Sequence, residues 1–306
     1  MRLPAGGTVA VIGAGPSGLV SARHALEAGF DVTVFEASDD LGGQWHTTAA
    51  HSGIWPGMRT NTSRTMTVFS ELPPPLAHEL YPRAEQVQTY LRSYADAFGV
   101  SERIRLRSPV ESVVVAGDHW SVDGARFDAV VVASGRFHAP LVPTGLDGFG
   151  GELLHAYDYP GAEAFRGRRV LVYGNGVSGH EIASDLVADT AALTGVPVVS
   201  AYRKPRYVLQ KVVDGVPSDW RWYTHAAAME RVTSPQEWAP RLREQIVRLS
   251  GHPSDFGAPA PDDDLLVAGH SLSQDYLAQV QRGEIACRPG IARVDGRTVT
   301  FTDGSF

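Results

Sequence analysis

Two stretches of this chain, far apart in sequence, repeat one order of residue types: a β-branched run, a loop spaced G-x-G-x-x-G, then a helix-forming run. In the first, Thr8-Val9-Ala10-Val11-Ile12 is a continuous apolar run, as a strand buried on both faces requires. Gly13-Ala14-Gly15-Pro16-Ser17-Gly18 follows, and residues 19–28 carry the Leu, Ala and Glu of a helix that ends at Gly29. Residues 31–35 form the next strand, closing on Glu36 and completing a strand–helix–strand unit of about 30 residues. The second copy runs from a strand at 169–173 through Gly174-Asn175-Gly176-Val177-Ser178-Gly179 and a helix reaching Leu193 to a strand at 196–202. Two such units commit the chain to an α/β fold with parallel strands, and no shorter repeat is present.

The context of each loop says what it can bind. Gly13 permits the tight turn, Gly15 lets the backbone approach a pyrophosphate, and Gly18 allows close helix–strand packing. Free N–H groups at the helix start, which follows Pro16 and Ser17, then attract the phosphates. Glu36 stands where a carboxylate accepts hydrogen bonds from a ribose 2′-hydroxyl. Gly174, Gly176 and Gly179 take the same three roles in the second loop, with Ser178 at its helix start. Its second strand, however, is followed by Arg203 and Lys204 rather than by an acid. A carboxylate would repel a 2′-phosphate there, whereas a guanidinium binds one bidentately. The expectation is a dinucleotide with a free ribose at the first loop and NADP(H) at the second. Spacing does not say which of Arg203, Lys204 and Arg206 faces the phosphate.

Between and after these units the pattern is less regular. Residues 42–75 are rich in Gly, Pro and Thr, a long loop of a kind that is usually functional. Residues 85–98 place Val87, Tyr90, Leu91, Tyr94 and Phe98 on one helical face. Strand-like runs follow at 110–115, 119–122 and 128–133, and residues 160–167 read as a linker. Residues 205–268, with Trp220, Trp222, Tyr223 and Trp238, match no simple period. Their aromatics fit either a substrate channel wall or a core.

At 306 residues the chain holds two domains of ordinary size. A formal net charge of −7 argues against nucleic acid or an anionic membrane as the main partner, so any basic site is local. The single cysteine, Cys287, excludes an internal disulfide, a cysteine metal cage and a redox-active pair; it reads as a half-buried small residue. The 11 histidines show no metal-ligand spacing. No apolar run approaches the roughly 18 residues of a membrane span, and no signal-peptide layout precedes the first strand. A cytoplasmic location is the expectation.

The segment Phe149-Gly150-Gly151-Glu152-Leu153-Leu154-His155-Ala156-Tyr157-Asp158-Tyr159 carries a resemblance. It fits, at every fixed position, the F-x-G-x-x-x-H-x-x-x-Y fingerprint of flavin-containing monooxygenases, the class B enzymes with FAD in one Rossmann domain and NADPH in another. Tyr159 in the last place resembles the N- and S-oxidising branch, whereas Baeyer–Villiger relatives usually carry Trp. Gly42-Gly43-Gln44-Trp45 is similar to the family's flavin-adjacent segment, as Thr60-Asn61-Thr62 is to its asparagine loop. Ala133-Ser134-Gly135 replaces the more usual A-T-G, and residues 283–290 leading to 300–304 also match. The similarity covers essentially the whole chain, most loosely across 205–268.

The resemblance implies two Rossmann-like domains: an FAD domain over 1–160, an NADPH domain over 161–285, and the start of a return to the FAD domain over 286–306. Family members normally continue past the Asp303-Gly304 element, so the chain is expected to be a fragment or a short form with an incomplete FAD domain. FAD contacts are expected from Gly13, Gly15, Pro16, Ser17, Gly18, Glu36, Gln44, Trp45, Ala133 and Gly135. NADPH contacts are expected from Gly174, Gly176, Ser178, Gly179, Arg203 and Lys204, with His155 organising the linker beside them; a packing role for His155 stays open. In the family's reaction NADPH reduces FAD, O₂ adds at C4a of the reduced flavin, and one oxygen passes to a soft N or S nucleophile of a small molecule. Asn61 would hydrogen-bond near the flavin–NADP⁺–oxygen site, the alternative being an Asx-turn residue. The residue inventory agrees: without a Cys pair or clustered metal ligands, electrons from a reduced flavin are left with O₂ or a diffusing acceptor. Baeyer–Villiger oxygenation and a non-oxygenating oxidase or nucleotide-binding fragment remain open. The substrate and the oligomeric state are not legible.

Overall fold

The computed structural model describes residues 6–49, 52–137, 139–222 and 234–306. They divide into two compact units, one of residues up to 60 and 67–140, the other of Asn61–Met66 and Leu141–Phe306. In the first, β1 (Thr8–Ile12) pairs in parallel with β2 (Asp31–Phe35), Val9 opposite Val32 and Val11 opposite Val34. Helix α1 (Pro16–Glu27) connects them, and it starts earlier than expected because Pro16 is well suited to the first helical turn. After helix α2 (Ala84–Ala97), β3 (Ile104–Arg105) adds to the far side of β2. Strands β4 (Val113–Ala116), β5 (His119–Val122) and β6 (Ala125–Phe127) make a separate antiparallel sheet. Finally β7 (Ala129–Val132) returns beside β1, giving the order β3-β2-β1-β7.

Alternation along β1 explains the layering. Val9 and Val11 face α1 and α2, in one core with Leu19, Ala22, Val32, Val34, Tyr90, Leu91 and Tyr94. Ala10 faces the other way, against Val122 and Phe127 of the small sheet. Both faces of the parallel sheet are thereby covered, as its continuous apolar strands demand. The helical face expected of residues 85–98 is the buried one: Val87, Tyr90, Leu91 and Tyr94 are all at most 4% exposed. Strand β4 starts later than its β-branched pattern suggests, because the Asp123 carboxylate takes the N–H groups of Glu111 and Ser112 out of ladder pairing.

The second unit repeats the plan. Strand β8 (Leu171–Tyr173), helices α3 (Val177–Asp189) and α4 (Ala191–Thr194), and strand β9 (Val198–Ala201) give a second parallel pair. The single helix expected up to Leu193 breaks at Thr190, whose hydroxyl bonds back to the Leu186 carbonyl at 2.6 Å. The 205–268 region has a core of its own. Strand β10 (Tyr207–Leu209) is followed by the hairpin β11 (Val212–Val213) and β12 (Val216–Pro217), and by helix α5 (Ser218–Trp222). Tyr207, Leu209, Ala239, Ile246, Leu265 and Ala268 are buried together, with Trp238 packed on them. Tyr223 lies outside the described residues. Strand β13 (His270–Leu272) pairs with β10, and β14 (Ile285–Arg288) adds to β9 to give the order β14-β9-β8. The hairpin of β15 (Ile291–Asp295) and β16 (Thr298–Phe301) closes the chain.

Two segments cluster away from where the sequence places them. Residues 141–160, assigned with the first domain by the sequence, group with the second unit, and so does the short insertion Asn61–Met66. The supposed linker 160–167 holds a 3₁₀ turn, Ala162–Phe165, with both end residues buried. No helix among the described residues is long and apolar enough to cross a membrane, and none of their His, Cys, Asp and Glu side chains gather in threes around a possible metal.

His180, on α3, is 2% exposed; its Nδ1 is 3.0 Å from Ser271 Oγ and its ring lies on Tyr276 at 4.1 Å. Burial, helped by the charge of Arg206, holds its pKa down to about 3, against an ordinary 6.5. The proton therefore prefers the unfolded chain. The stability contributed by neutral His180 is complete above pH of about 6.5 and is lost as pH falls toward 3, at up to about 1.4 kcal/mol per unit. Urea unfolding at pH 7 and pH 5 should show a larger loss in the native chain than in His180→Gln; equal losses would place the acid sensitivity elsewhere.

Candidate functional site

The two glycine loops have one geometry. Gly13 donates to the Phe35 carbonyl at 2.7 Å, and Gly174 to the Ala201 carbonyl at 2.8 Å, tying each loop to the end of the second strand of its unit. Gly13 has φ +102° and Gly174 φ +130°, conformations that suit glycine alone. A Cβ on Gly18 would stand 1.8 Å from the Gly13 carbonyl oxygen, and one on Gly179 2.2 Å from that of Gly174. These glycines let helix and strand touch. The middle glycines differ in kind: Gly15 (φ −77°) and Gly176 (φ −71°) have extended backbone any residue adopts. A Cβ there would meet at nearest Gly43 Cα, at 3.5 Å, in the first loop and nothing within 4 Å in the second. Neither helix start has a side-chain cap, so the N–H groups of the first turns are left for a ligand.

What surrounds each loop separates them. Glu36 is buried and takes the Ala14 N–H on Oε2 at 2.7 Å and the Ser38 N–H on Oε1 at 2.9 Å. Each oxygen keeps a lone pair for further donors. Gly42 donates to the Ala14 carbonyl at 3.0 Å, which brings the 3₁₀ turn Gly43–Trp45 against the loop. Gln44 is exposed there, and Trp45 packs on the core beneath. Asp40, whose carboxyl is held below the ordinary carboxylate range by Arg92, and Gln88, which donates to the Leu41 carbonyl at 3.1 Å, brace the segment leading in. Ala133 donates to the Ile12 carbonyl at 2.8 Å, and its own carbonyl lies under Gly13, 2.5 Å from where a Cβ would stand. Gly135 follows at φ +81°. Pro16 is partly buried and Ser17 exposed at the helix start.

At the second loop Asn175 donates to the Lys204 carbonyl at 2.5 Å, clasping the basic segment to the loop. Arg203, Lys204 and Arg206 are all exposed, as are Gly176 and Ser178. The stem of Arg203 lies over Gly290, where a Cβ would come within 3.0 Å of it, and the Arg206 guanidinium lies against Gly269. This side of the unit has exposed cations and no carboxylate in the place of Glu36.

Each fixed position of the fingerprint has a packing role. A Cβ on Gly151 would meet the Phe149 ring at 2.6 Å, so the phenyl ring requires a glycine there. Phe149 forms a parallel bridge with Gly296, and the Gly150 N–H donates to the Gly296 carbonyl at 2.8 Å. His155 Nδ1 accepts the Tyr157 N–H at 3.0 Å, capping a 3₁₀ turn. Tyr159, buried, donates to Asp185 on α3 at 2.7 Å, and burial together with that carboxylate pushes its pKa up. The segment is thus fastened to the helix that begins at the second loop. Asn61 is exposed, between buried Thr60 and Ser63. Cys287 is half-buried, near the Tyr276 hydroxyl. The sequence missed Asn175 and Gln88, which donate to backbone carbonyls, and Asp40, which accepts from the distant Arg92, since no motif records such partners.

Two loops of this build, one beside a buried carboxylate and one beside exposed arginines, define an α/β protein with two dinucleotide-binding units. The chain belongs to the flavin-binding monooxygenase-like family, whose model matches residues 6–306. It is 31% identical to the human putative dimethylaniline monooxygenase [N-oxide-forming] 6, over 97% of this chain and 58% of that protein. Among solved structures it resembles the S-allyl-L-cysteine S-oxygenase of Allium sativum, at TM-score 0.63 and 23% identity over 97% of this chain and 59% of that one. A flavin-containing monooxygenase from Stenotrophomonas maltophilia aligns at TM-score 0.68 and 21% identity, over 97% and 74% of the two chains. The chain spans less than two thirds of the length of the curated relatives it matches.

The glycines separate into two groups by what a methyl would meet. Gly18→Ala and Gly179→Ala should each cost about 1–3 kcal/mol or more through forced helix displacement. Gly15→Ala and Gly176→Ala should be neutral or stabilising by about 0.4–1 kcal/mol. Denaturant midpoints of the four variants check this; a large loss at Gly15 or Gly176 would mean that those positions are closed by protein.

Proposed function

We propose that the chain provides the FAD and NADPH sites of a monooxygenase that transfers one oxygen atom from O₂ to a nitrogen or sulfur of a small molecule. The observation that carries this reading is the asymmetry of two otherwise matching loops. The residues present fit both cofactors: Gly15 and Gly176 leave room for a pyrophosphate, and the uncapped helix starts supply its N–H donors. Glu36 would take the ribose hydroxyls of FAD. Arg203, with Lys204 beside it, would take the 2′-phosphate of NADPH.

Bound together, the cofactors supply hydride transfer to the flavin and activation of O₂, the chemistry the side chains lack. The protein's part is to bind, orient and shield. Gly43–Trp45 and Ala133–Gly135 flank the first loop, where they would border FAD, and the exposed Asn61 would offer its carboxamide to the oxygen-reacting region. His155 and Tyr159 hold the segment that abuts α3, so their contribution is to keep the second loop in place. Tyr159, rather than Trp, and the N-oxide-forming names of the curated relatives support N and S over ketone substrates.

The chain loaded with FAD should lose its visible flavin absorbance when NADPH is added without air. On admission of air with N,N-dimethylaniline or methyl phenyl sulfide, the consumed NADPH should be recovered as N-oxide or sulfoxide. Recovery as hydrogen peroxide alone would point to an oxidase, and ester from a ketone probe alone to Baeyer–Villiger chemistry. Arg203→Ala should weaken NADPH by about tenfold or more, the loss of a hydrogen bond to a charged group, and leave NADH nearly unchanged. Equal weakening of both would assign the phosphate to another residue.

A further inference from the structure

We propose that Asp219 and Trp220 are positioning residues for Asn61, a role that rests on the assignment of Asn61 made above. Asn61–Met66 leaves the unit of its sequence neighbours and clusters with the second one, so something there must hold it. Asp219, at the start of α5 and 6% exposed, accepts the backbone N–H of Ser63 on Oδ2 at 2.5 Å. Trp220 donates its indole N–H to Thr65 Oγ1 at 2.7 Å and Ser63 Oγ at 3.0 Å, and these two hydroxyls are themselves 3.0 Å apart. The Met66 N–H closes the turn on the Ser63 carbonyl at 2.9 Å. Two adjacent side chains therefore grip the turn that begins two residues after Asn61, while Asn61 itself stays exposed.

The grip has a firm base. Asp219 Oδ1 is buried with no hydrogen-bond partner among the described residues. Burying a carboxylate for one N–H costs stability that a neutral acceptor would not. Helix α5 is anchored in turn: the Ser218 N–H donates to the Lys211 carbonyl at 2.8 Å and its hydroxyl to the Gln210 carbonyl at 2.6 Å. Buried Lys211 pairs with Glu181 on α3 at 2.9 Å, and α3 is the helix that opens at Gly176. Bonded contacts thus run from the second glycine loop to the turn that follows Asn61. Displacing a catalytic group by about 1 Å costs on the order of 100-fold in rate, so a turn held at two points defines where the carboxamide lies.

The test is a double-mutant cycle on the FAD-loaded chain with methyl phenyl sulfide, reading the share of NADPH that ends as peroxide rather than sulfoxide. Asp219→Ala should raise that share to the level of Asn61→Ala, keep the KM for NADPH within about twofold, and add nothing in the Asn61→Ala background. Asp219→Asn, whose amide oxygen can still accept the Ser63 N–H, should restore coupling. Without any turnover, the Ser63 amide should exchange with solvent at least about tenfold faster in Asp219→Ala and not in Asn61→Ala. Trp220→Phe, which keeps the ring and removes the donor, should raise the peroxide share partway and serves if Asp219→Ala fails to fold. Additive effects, unchanged Ser63 exchange, or a silent Asp219→Ala beside an impaired Asn61→Ala would overturn the positioning role alone. Wild-type coupling in Asn61→Ala would overturn the assignment of Asn61, and this inference with it.

Discussion

A carbonyl oxygen almost touching a Cα is the constraint on which the rest depends. In each unit the first loop glycine puts its oxygen where the last glycine would carry a side chain. That approach is possible only without a Cβ, and it brings the helix start directly over the strand end. Everything useful about the site follows from this proximity. The first-turn N–H groups are aimed beyond the sheet, the middle glycine lies under the place where phosphates would sit, and the second strand ends beside the loop. The hydrogen bonds from Gly13 and Gly174 to the ends of β2 and β9 complete the same frame twice.

Identical frames leave specificity to whatever follows the second strand. In the first unit this is a carboxylate whose oxygens are already oriented by two backbone N–H groups. An oriented acceptor suits hydroxyls and repels a phosphate. In the second unit it is a run of exposed cations clasped to the loop by Asn175. Guanidinium on an exposed strand end suits a phosphate and gives a ribose hydroxyl no acceptor. On the proposed assignment, one fold with a change of sign at one place would separate two cofactors that share most of their chemistry.

Elements set by local pattern were legible in the sequence. Strands β1 and β2 and the buried face of α2 lie where periodicity and glycine spacing place them, because each depends on neighbours in its own segment. Elements set by distant partners were not. The two-residue β3 exists only because β2 offers it an edge. The start of β4 is decided by Asp123, and the grouping of 141–160 by Gly296 and Asp185. The 205–268 region hid a small core because its buried residues, from Tyr207 to Ala268, belong to short elements with no common period. For the candidate site, the glycines, Glu36 and the basic segment with Arg203, Lys204 and Arg206 could be named from the sequence as expectations, whereas Asp219 and Trp220 stand in no motif and gain meaning only from the turn they hold.

The most direct measurement of the central claim is a pair of binding titrations, FAD and NADP⁺, on the native chain and on Gly15→Val and Gly176→Val. Gly15→Val should lose FAD while keeping NADP⁺, and Gly176→Val should do the reverse. Loss of both ligands in either variant, or the opposite pairing of loop and ligand, would contradict the assignment of one cofactor to each loop.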